Sequence, residues 1–313
     1  MRRNFCTLFD VNYLTRGLSL YNSLSKHCKK FHIWILCMDI ETYDILKRMG
    51  LEHATLIKLE DFEDKDLLNI KPTRAHGEYC WTCTPSLPLY VFKYFSEVKM
   101  ISYLDSDLYF YSTPEPIFKE IGKNSIMIIP HRFSVNRKEK EKKAGTFNVS
   151  MLTFRCDKNG LACLMWWREK CIEWCFNRLE NNKLGDQFYL NEFPKLFKKV
   201  HVLKYSGANV APWNITQYKV SSNSSAIYVD GVLLVFFHFL GLKLYDKKFM
   251  LPATSPLGYG DHSLYRKLIY EIYFKEMYNQ TINVRKIDAN FSSGFAKRPN
   301  NWLKETIADA YLQ

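Results

Sequence analysis

Short apolar runs alternate with segments of helical periodicity along the first half of this 313-residue chain. Apolar runs occur at Phe5–Phe9, Phe31–Met38 and Ala54–Leu59. Between them, the apolar residues of Leu14–Leu24 and Ile40–Met49 recur at the spacing of one helix face. Strands that alternate with helices favour parallel pairing. The pattern therefore predicts an α/β fold, in which helices flank a mainly parallel sheet.

The same alternation continues further along the chain. It predicts a helix at Pro85–Phe95, strands at Lys99–Leu104 and Ser125–Ile129, a long amphipathic helix at Gly160–Asn181 and an apolar strand at Val232–Phe237. We therefore expect the strands of one sheet to be distributed over most of the chain.

The alternation is lost beyond about Tyr245, where aromatic and basic residues become frequent. We therefore predict one α/β domain at residues 1–245 and a C-terminal helical elaboration, packed on it, at residues 246–313. Its segment Tyr265–Lys275 combines aromatic and basic side chains. This segment is either an amphipathic helix packed on the domain or a contact surface for an acceptor or an anionic membrane.

A formal net charge of +12 points to an anionic partner, such as a nucleotide diphosphate, a nucleic acid or an anionic membrane surface. The basic residues are dispersed along the chain, and no recognised nucleic-acid-binding motif is present. We therefore predict no nucleic acid partner, and a basic nucleic-acid-binding protein is the alternative from a different class. The 9 cysteines are scattered and odd in number, which favours reduced thiols over a disulfide framework.

The N-terminus does not have the pattern of a signal peptide, because polar residues follow Arg2 and Arg3 at once. The longest apolar stretch, Gly231–Leu242, is too short to span a bilayer. We therefore expect a cytoplasmic protein, either free or peripheral at the inner membrane face.

The strongest local signal is the sequence Asp105-Ser106-Asp107, which directly follows the apolar run Lys99–Leu104. Alternation along a strand would point both carboxylates the same way, so that they could bind one Mg²⁺ or Mn²⁺ ion. Asp10 likewise follows the first strand. Because ligands of open α/β sheets bind beyond the carboxyl ends of the strands, Asp10 and Asp105 should converge on one crevice.

A second signal follows the apolar strand Val232–Phe237. His238 stands at the end of this strand and could supply a third metal ligand, while Gly241 permits close approach of the backbone to a phosphate. Lys243 could neutralise a leaving diphosphate. Alone, His238 is more typical of a core histidine; together with the aspartate pair, it favours a metal site.

These residues belong to a set of motifs that occur in a fixed order. The motifs are Asp10-x-Asn12-Tyr13, Tyr103-Leu104-Asp105-x-Asp107, Phe147-Asn148-Val149-Ser150, Gly185-Asp186-Gln187-x-Tyr189-Leu190-Asn191 and His238-Phe239-x-Gly241-x-Lys243. In this order the sequence resembles the family 8 glycosyltransferases of the GT-A fold. Two motifs depart from that family, which usually has Phe-Asn-Ser-Gly and a Lys-Pro-Trp after the histidine.

The resemblance implies a Rossmann-like nucleotide-diphospho-sugar transferase that acts with retention and takes its sugar from a UDP-sugar. It implies metal binding by Asp105, Asp107 and His238, with Mn²⁺ or Mg²⁺ as the ion. Donor contacts are expected from Thr7, Asp10, Asn12, Tyr13, Asp105, Ser106, Asn148, Gly241 and Lys243. The implied acceptor is a glycan, a lipid-linked saccharide or a protein, and bacterial surface glycan assembly is the expected role.

Asp186 and Gln187 are the predicted catalytic residues. A carbonyl or carboxylate from either would stabilise the oxocarbenium-like centre electrostatically. With retention, the departing phosphate takes the acceptor proton and no side-chain base is needed; with inversion, Asp186 would be the base. A sugar-nucleotide-binding module without turnover is the nearer alternative.

The sequence also resembles a group of uncharacterised bacterial proteins that share Glu78-Tyr79-Cys80-Trp81-Thr82-Cys83-Thr84-Pro85 and Ala211-Pro212-Trp213-Asn214. Within the first motif, the Cys80 and Cys83 spacing is that of redox and zinc sites. We predict neither function, because the motif does not follow a first βαβ strand and no second cysteine pair has ligand spacing. The preceding Lys71, Arg74 and His76 either contact phosphate or lie on the surface.

A charge-dense stretch at Arg132–Lys143 precedes the Phe147 motif. It is either a solvated helix or a flap over the site.

Overall fold

The computed structural model describes residues 2–245, 249–251 and 265–296. Its strands are β1 (Arg3–Phe9), β2 (Phe31–Cys37), β3 (Ala54–Lys58), β4 (Met100–Leu104), β5 (Leu108–Phe110), β6 (Ile126–Pro130), β7 (Phe147–Arg155), β8 (Val200–Val202), β9 (Val220–Ser222), β10 (Ile227–Val229), β11 (Val232–Leu233), β12 (Phe236–His238), β13 (Lys243–Tyr245) and β14 (Phe249–Leu251). Its α-helices are α1 (Leu14–His27), α2 (Ile40–Met49), α3 (Leu59–Phe62), α4 (Lys65–Ile70), α5 (His76–Cys83), α6 (Ser86–Tyr94), α7 (Glu115–Ile121), α8 (Glu141–Ala144), α9 (Lys158–Glu173), α10 (Phe193–Leu196) and α11 (Glu271–Arg285).

A seven-stranded sheet in the order β3-β2-β1-β4-β7-β6-β8 forms the centre of the fold. All its pairs are parallel except those of β7, which runs antiparallel to both β4 and β6. The predicted mainly parallel sheet is confirmed. Three smaller sheets accompany it, in the orders β11-β10-β9, β12-β5 and β13-β14.

The two faces of the sheet bury different side chains of the same strands. In β1, Cys6 and Leu8 pack under α5, α6 and α9, whereas Phe5 and Phe9 pack under α1 and α7. Gly17 of α1 permits this second contact, because a Cβ atom there would lie 2.3 Å from the Phe9 ring. Helices therefore cover both faces, as the alternating sequence pattern predicts.

Two predicted elements differ in the structure. The helix expected at Gly160–Asn181 is α9, which ends at Glu173 because Trp174 has an extended backbone (φ −155°, ψ 120°). The chain then turns back beneath α9, where the Trp167 indole donates to the Asp186 carbonyl at 2.8 Å. The apolar strand expected at Val232–Phe237 is divided between β11 and β12, which belong to different sheets.

The C-terminal helix α11 packs along α1, where the Asn22 amide donates to Glu276 at 2.9 Å. Tyr270 and Tyr273 of the aromatic and basic cluster are buried (3% and 0% exposed), and so they are not available to a membrane surface. The segment therefore includes a helix packed on the domain, while Lys267 and Lys275 are exposed, and a contact of this segment with an acceptor or an anionic membrane stays a prediction. The β13–β14 hairpin crosses the predicted domain boundary at residue 245. Among the described helices, none is both long and apolar enough to cross a bilayer.

Candidate active site

The candidate site lies at the carboxyl ends of β1 and β4. These strands are parallel neighbours, with Cys6 opposite Tyr103, so that the following residues Asp10 and Asp105 emerge at the same edge of the sheet. This juxtaposition is the one that the sequence predicts.

Asp105, Asp107 and His238 come together at this edge. Strand β12 pairs antiparallel with β5 directly after the aspartates, and the register places His238 opposite Leu108. The His238 Nε2 atom lies 3.2 Å from Asp107 Oδ1 and 3.8 Å from Asp105 Oδ2. One ligand atom from each residue lies within 4.8 Å of the other two.

This cluster fits a hard divalent cation. Adjacent ligands of an octahedral ion with bonds of about 2.1 Å are about 3 Å apart, close to the separations seen here. The donors are two carboxylates and one imidazole, a set that suits Mg²⁺ or Mn²⁺. His238 Nδ1 donates to Asn148 Oδ1 at 3.1 Å, which directs Nε2 toward the carboxylates, where the neutral form of the imidazole could bind a cation.

The three groups also perturb one another's protonation. Burial raises the pKa of Asp105 to about 6, although the positive His238 opposes the shift. For Asp107, burial acts in the same direction, but His238 and Arg16 together hold its pKa below the usual value. Burial opposes the charge of His238, yet both carboxylates raise its pKa above the ordinary value. Without a cation, the two carboxylates therefore favour the positive form of the His238 imidazole.

Asn148 links Asp105, Asp107 and His238, the candidate metal-binding residues called the metal cluster below, to a second part of the site. Its Nδ2 donates to Gln187 Oε1 at 2.8 Å, and the Gln187 Nε2 donates to the Ala144 carbonyl at 2.8 Å. Asn148 is 4% exposed, whereas Gln187 is only partly buried. The amide plane of Gln187 is thus fixed at both ends beside the metal cluster.

Asp186 differs from its neighbour Gln187 in being buried, at 5% exposed. Burial, reinforced by the negative Asp105, raises the pKa of Asp186 to about 8. Its carboxyl group is therefore mainly protonated at neutral pH.

Among the residues predicted to contact the nucleotide, Asp10 makes several hydrogen bonds. Its carboxylate accepts hydrogen bonds from the Tyr13 backbone at 3.1 Å and from the Asn12 amide and the His76 ring, both at 3.0 Å. Tyr13 is 42% exposed and therefore accessible to a ligand. Thr7 is fully buried, and its hydroxyl has no hydrogen-bond partner among the described residues.

The segment predicted to contact the diphosphate follows His238 and includes Gly241 and Lys243. The Phe239 backbone donates to the Asp107 carbonyl at 3.0 Å, and Gly241 has a φ of +70°, which favours glycine. Lys243 is exposed on β13. Ser106, between the two aspartates, is 8% exposed.

The cysteine motif has a scaffold role in the structure. Both Cys80 and Cys83 lie on α5, whose Trp81 packs against Gly185, so close that a Cβ atom there would be 3.2 Å from the indole. Gly185 has a φ of +53°. All 9 cysteines are free thiols. Helix α5 thus positions the Gly185-Asp186-Gln187 turn.

Three residues near this motif have separate partners. His76 contacts Asp10, as described above, while Lys71 pairs with Glu63 at 2.7 Å. Arg74 stacks on the Phe176 ring at 4.0 Å and donates to the Ile172 carbonyl. Of the three, only His76 contacts a predicted site residue.

Sequence reasoning missed Arg16 and His131. Arg16 follows Tyr13, the residue before α1, by three residues, and its guanidinium lies over the Tyr13 ring. His131, the residue after β6, has its Nε2 atom 3.4 Å from the amide of Asn148 in β7, and no local sequence pattern indicates this contact.

Comparisons with known proteins identify relatives of the whole chain. No family model matches it. The chain is 34% identical to the uncharacterized protein YfnD of Bacillus subtilis (strain 168) over 247 residues, 78% of this chain and 79% of YfnD. It is 29% identical over 312 residues to YfnF of the same organism, covering 96% of this chain and 100% of YfnF.

Among solved structures, the galactosyltransferase LgtC in complex with donor and acceptor sugar analogs aligns with a TM-score of 0.55 at 14% identity. The alignment covers 96% of this chain and 99% of that chain, and at this identity it establishes the fold. The chain belongs to the YfnD family of bacterial proteins, and it has the GT-A fold.

Proposed function

We propose that this protein is a metal-dependent glycosyltransferase that transfers a sugar from a nucleotide diphosphate sugar to an acceptor hydroxyl. The proposed donor is a UDP-sugar. The observation that carries the proposal is the cluster of Asp105, Asp107 and His238 at the carboxyl end of β4. In this fold, that edge of the sheet is where ligands bind. LgtC, which shares the fold, is described with donor and acceptor sugar analogs.

Asp105, Asp107 and His238 would hold the cation, and Asn148 would orient the imidazole through its 3.1 Å hydrogen bond. When bound, Mg²⁺ or Mn²⁺ supplies positive charge that stabilises the departing diphosphate. Asp10, Asn12 and Tyr13 would bind the nucleoside part of the donor.

Gln187 is better placed than Asp186 to face the transferred sugar. Its amide is partly exposed and held by Asn148 and Ala144, so its carbonyl dipole is already oriented. Asp186 is buried and mainly protonated at neutral pH, which disfavours both a charged stabiliser and a base. These features support transfer with retention, in which the departing phosphate oxygen takes the acceptor proton.

The acceptor side of the site carries a basic segment, defined as residues 135–144. It contains Arg137, Lys138, Lys140, Lys142 and Lys143 together with two glutamates. Its end is tied to the site, because the Ala144 carbonyl accepts from Gln187. Most of its side chains are exposed, and only Lys142 among its basic residues forms an ion pair within the described residues, with Glu139 at 2.6 Å. This charge favours an acceptor that bears phosphate or carboxylate groups, as in a bacterial surface glycan.

The proposal is tested by incubating the purified protein with a panel of UDP-sugars, Mn²⁺ and anionic saccharide acceptors. Formation of a glycosylated product, lost on addition of EDTA, would support it, and the anomeric configuration of the product would establish retention or inversion. Tight UDP-sugar binding without release of UDP under any condition would instead identify a binding module.

A further inference from the structure

The guanidinium group of Arg16 is buried beside the metal cluster. The residue is 6% exposed, and it donates to the Asn12 carbonyl at 3.2 Å and the Leu242 carbonyl at 2.9 Å. Its Cζ atom lies 4.7 Å from the centre of the Tyr13 ring. Within the described ranges it forms no ion pair, since the nearby Asp10 and Asp107 carboxylates contact His76 and His238 instead.

A buried arginine without a carboxylate partner is uncommon, because removing the charge from water is unfavourable unless an opposite charge compensates it. Two carbonyl dipoles provide only part of this compensation. Asp107 is close enough to interact electrostatically with Arg16, but it is a predicted metal ligand, and a cation would draw on the same negative charge.

The charge balance changes when the site is loaded. A divalent ion bound by Asp105 and Asp107 would balance the charge of both carboxylates. The remaining nearby carboxylate, Asp10, accepts from Asn12, Tyr13 and His76, so that Arg16 would then have no ion-pair partner among the described residues of the site. A diphosphate group brings the negative charge that is missing, and bidentate hydrogen bonding to phosphate suits a guanidinium.

The position of Arg16 supports the same ligand. Its two carbonyl partners belong to the two segments predicted to hold the donor, since Asn12 is next to Tyr13 and Leu242 lies between Gly241 and Lys243. Tyr273 is fully buried and stacks on Phe239 with ring centres 3.8 Å apart, and its hydroxyl has no hydrogen-bond partner in the described part of the chain.

We propose that Arg16 binds the diphosphate of the nucleotide donor and that α1 holds it in place before the donor arrives. This inference rests on the proposed function for the identity of the donor. It assigns to α1 a contact that the sequence motifs do not indicate.

The test compares binding of UDP, uridine and inorganic pyrophosphate, each with Mn²⁺, to the wild type, Arg16→Met and Arg16→Lys by calorimetry. Arg16→Met should weaken UDP and pyrophosphate binding about tenfold or more and leave uridine binding unchanged, as expected for the loss of charge-assisted hydrogen bonds. Arg16→Lys should lose less affinity for UDP and pyrophosphate than Arg16→Met. The matched control is Arg48→Met, which also removes a positive charge and a hydrogen bond to a carbonyl, that of Ile287, on an exposed surface.

Thermal unfolding without ligand shows whether each variant is folded. If Arg16→Met does not fold, the binding of UDP, pyrophosphate and uridine is compared between the wild type and Arg16→Lys. Equal losses for UDP and uridine, or no loss for either diphosphate, would overturn the assignment and leave Arg16 as a link between α1 and the Leu242 segment. If the wild type binds pyrophosphate but not UDP, the proposal of a nucleotide donor is wrong. The comparison of pyrophosphate binding between the wild type and the Arg16 variants still tests whether Arg16 binds a diphosphate.

Discussion

His238 donates a hydrogen bond from Nδ1 to Asn148 Oδ1 at 3.1 Å, and this contact holds the imidazole beside Asp105 and Asp107. The same Asn148 side chain donates to Gln187 at 2.8 Å. Asn148 is therefore the residue through which β7 joins β12 to the Gly185-Asp186-Gln187 turn.

The first prediction concerns this bridge. Asn148→Ala leaves His238 without its orienting acceptor, and the loss of such partners of metal ligands typically weakens metal binding by about 10- to 100-fold. Mn²⁺ affinity, measured by calorimetry, should fall within this range. Asn22→Ala, which removes an amide hydrogen bond to Glu276 remote from the cluster, should bind Mn²⁺ like the wild type. Unchanged Mn²⁺ affinity in Asn148→Ala would show that the contact does not orient a ligand.

The second prediction concerns the two aspartates. Asp105→Asn and Asp107→Asn keep the side-chain shape but remove the carboxylates, so each should abolish Mn²⁺-dependent UDP binding and glycosyl transfer while the thermal midpoint is preserved. Asp44→Asn removes an exposed carboxylate on α2 and serves as the matched control. The metal role is wrong if either site variant keeps wild-type transfer, or if wild-type transfer is undiminished in EDTA.

Much of this cluster could be predicted from local sequence, for a physical reason. A strand ends where its apolar run ends, so Asp105, Asp107 and His238 could each be placed at a strand end from the pattern alone. The sheet then brings the strand ends together.

The contacts made by side chains across elements could not be predicted in this way. Asn148 and Gln187 are 39 residues apart and meet only after β7 and the turn after α9 have packed. The end of α9 at Glu173 was also missed, because the apolar residues beyond it serve the turn beneath the helix and imitate helical periodicity. Arg16 gave no signal, since a single arginine in an amphipathic helix is normally exposed.

The third prediction concerns the contact between Trp81 and Gly185. Gly185→Ala must adopt a φ of +53° and also brings a Cβ atom to 3.2 Å from the indole. Gly50→Ala shares the left-handed backbone (φ +62°) but has no atom within 4 Å of its Cβ position. Backbone strain alone should lower the free energy of unfolding of Gly50→Ala by about 1–2 kcal/mol.

Denaturant titration should therefore show a larger loss for Gly185→Ala than for Gly50→Ala, and glycosyl transfer should fall only in Gly185→Ala because Gln187 is displaced. Equal losses of stability and unchanged transfer in both variants would refute the proposed scaffold role of α5.

The fourth prediction uses the raised pKa of Asp186, about 8. An unfolded chain ionises this carboxyl at its ordinary pKa of about 3.9, whereas the folded chain keeps the proton. The group therefore contributes stability that is fully present below pH about 4 and is lost progressively as the pH rises to about 8. Asp186→Asn does not titrate, so its free energy of unfolding relative to the wild type should increase over this range.

Urea titrations in EDTA at several pH values measure this difference directly. A difference that is constant between pH 4 and 8 would mean that Asp186 has an ordinary pKa, and Asp186 would again be eligible as a charged catalytic group. Asp44→Asn, with its exposed carboxyl, provides the reference curve.

The last prediction concerns the basic segment, residues 135–144. Replacing Lys138, Lys140 and Lys143 with Gln removes three exposed charges that form no ion pair within the described residues. Because this segment is tied to Gln187, we expect weaker binding of anionic acceptors and unchanged binding of UDP. Each exposed charge contact contributes about 0.2–1 kcal/mol, so the loss of three should weaken binding by about 3- to 100-fold at low salt.

The control replaces Lys29, Lys30 and Lys123 with Gln, which removes the same charge from exposed positions before β2 and β6, at the opposite edge of the sheet. The probe is a fluorescent oligo(glycerol phosphate), compared with a neutral dextran oligosaccharide of similar length, by anisotropy in the presence of saturating UDP and Mn²⁺. Selective loss of the anionic probe in the segment variant supports an acceptor surface. Equal loss in both triple variants would show that only the net charge of the protein attracts the probe, and the segment would then be a solvated helix with no part in acceptor choice.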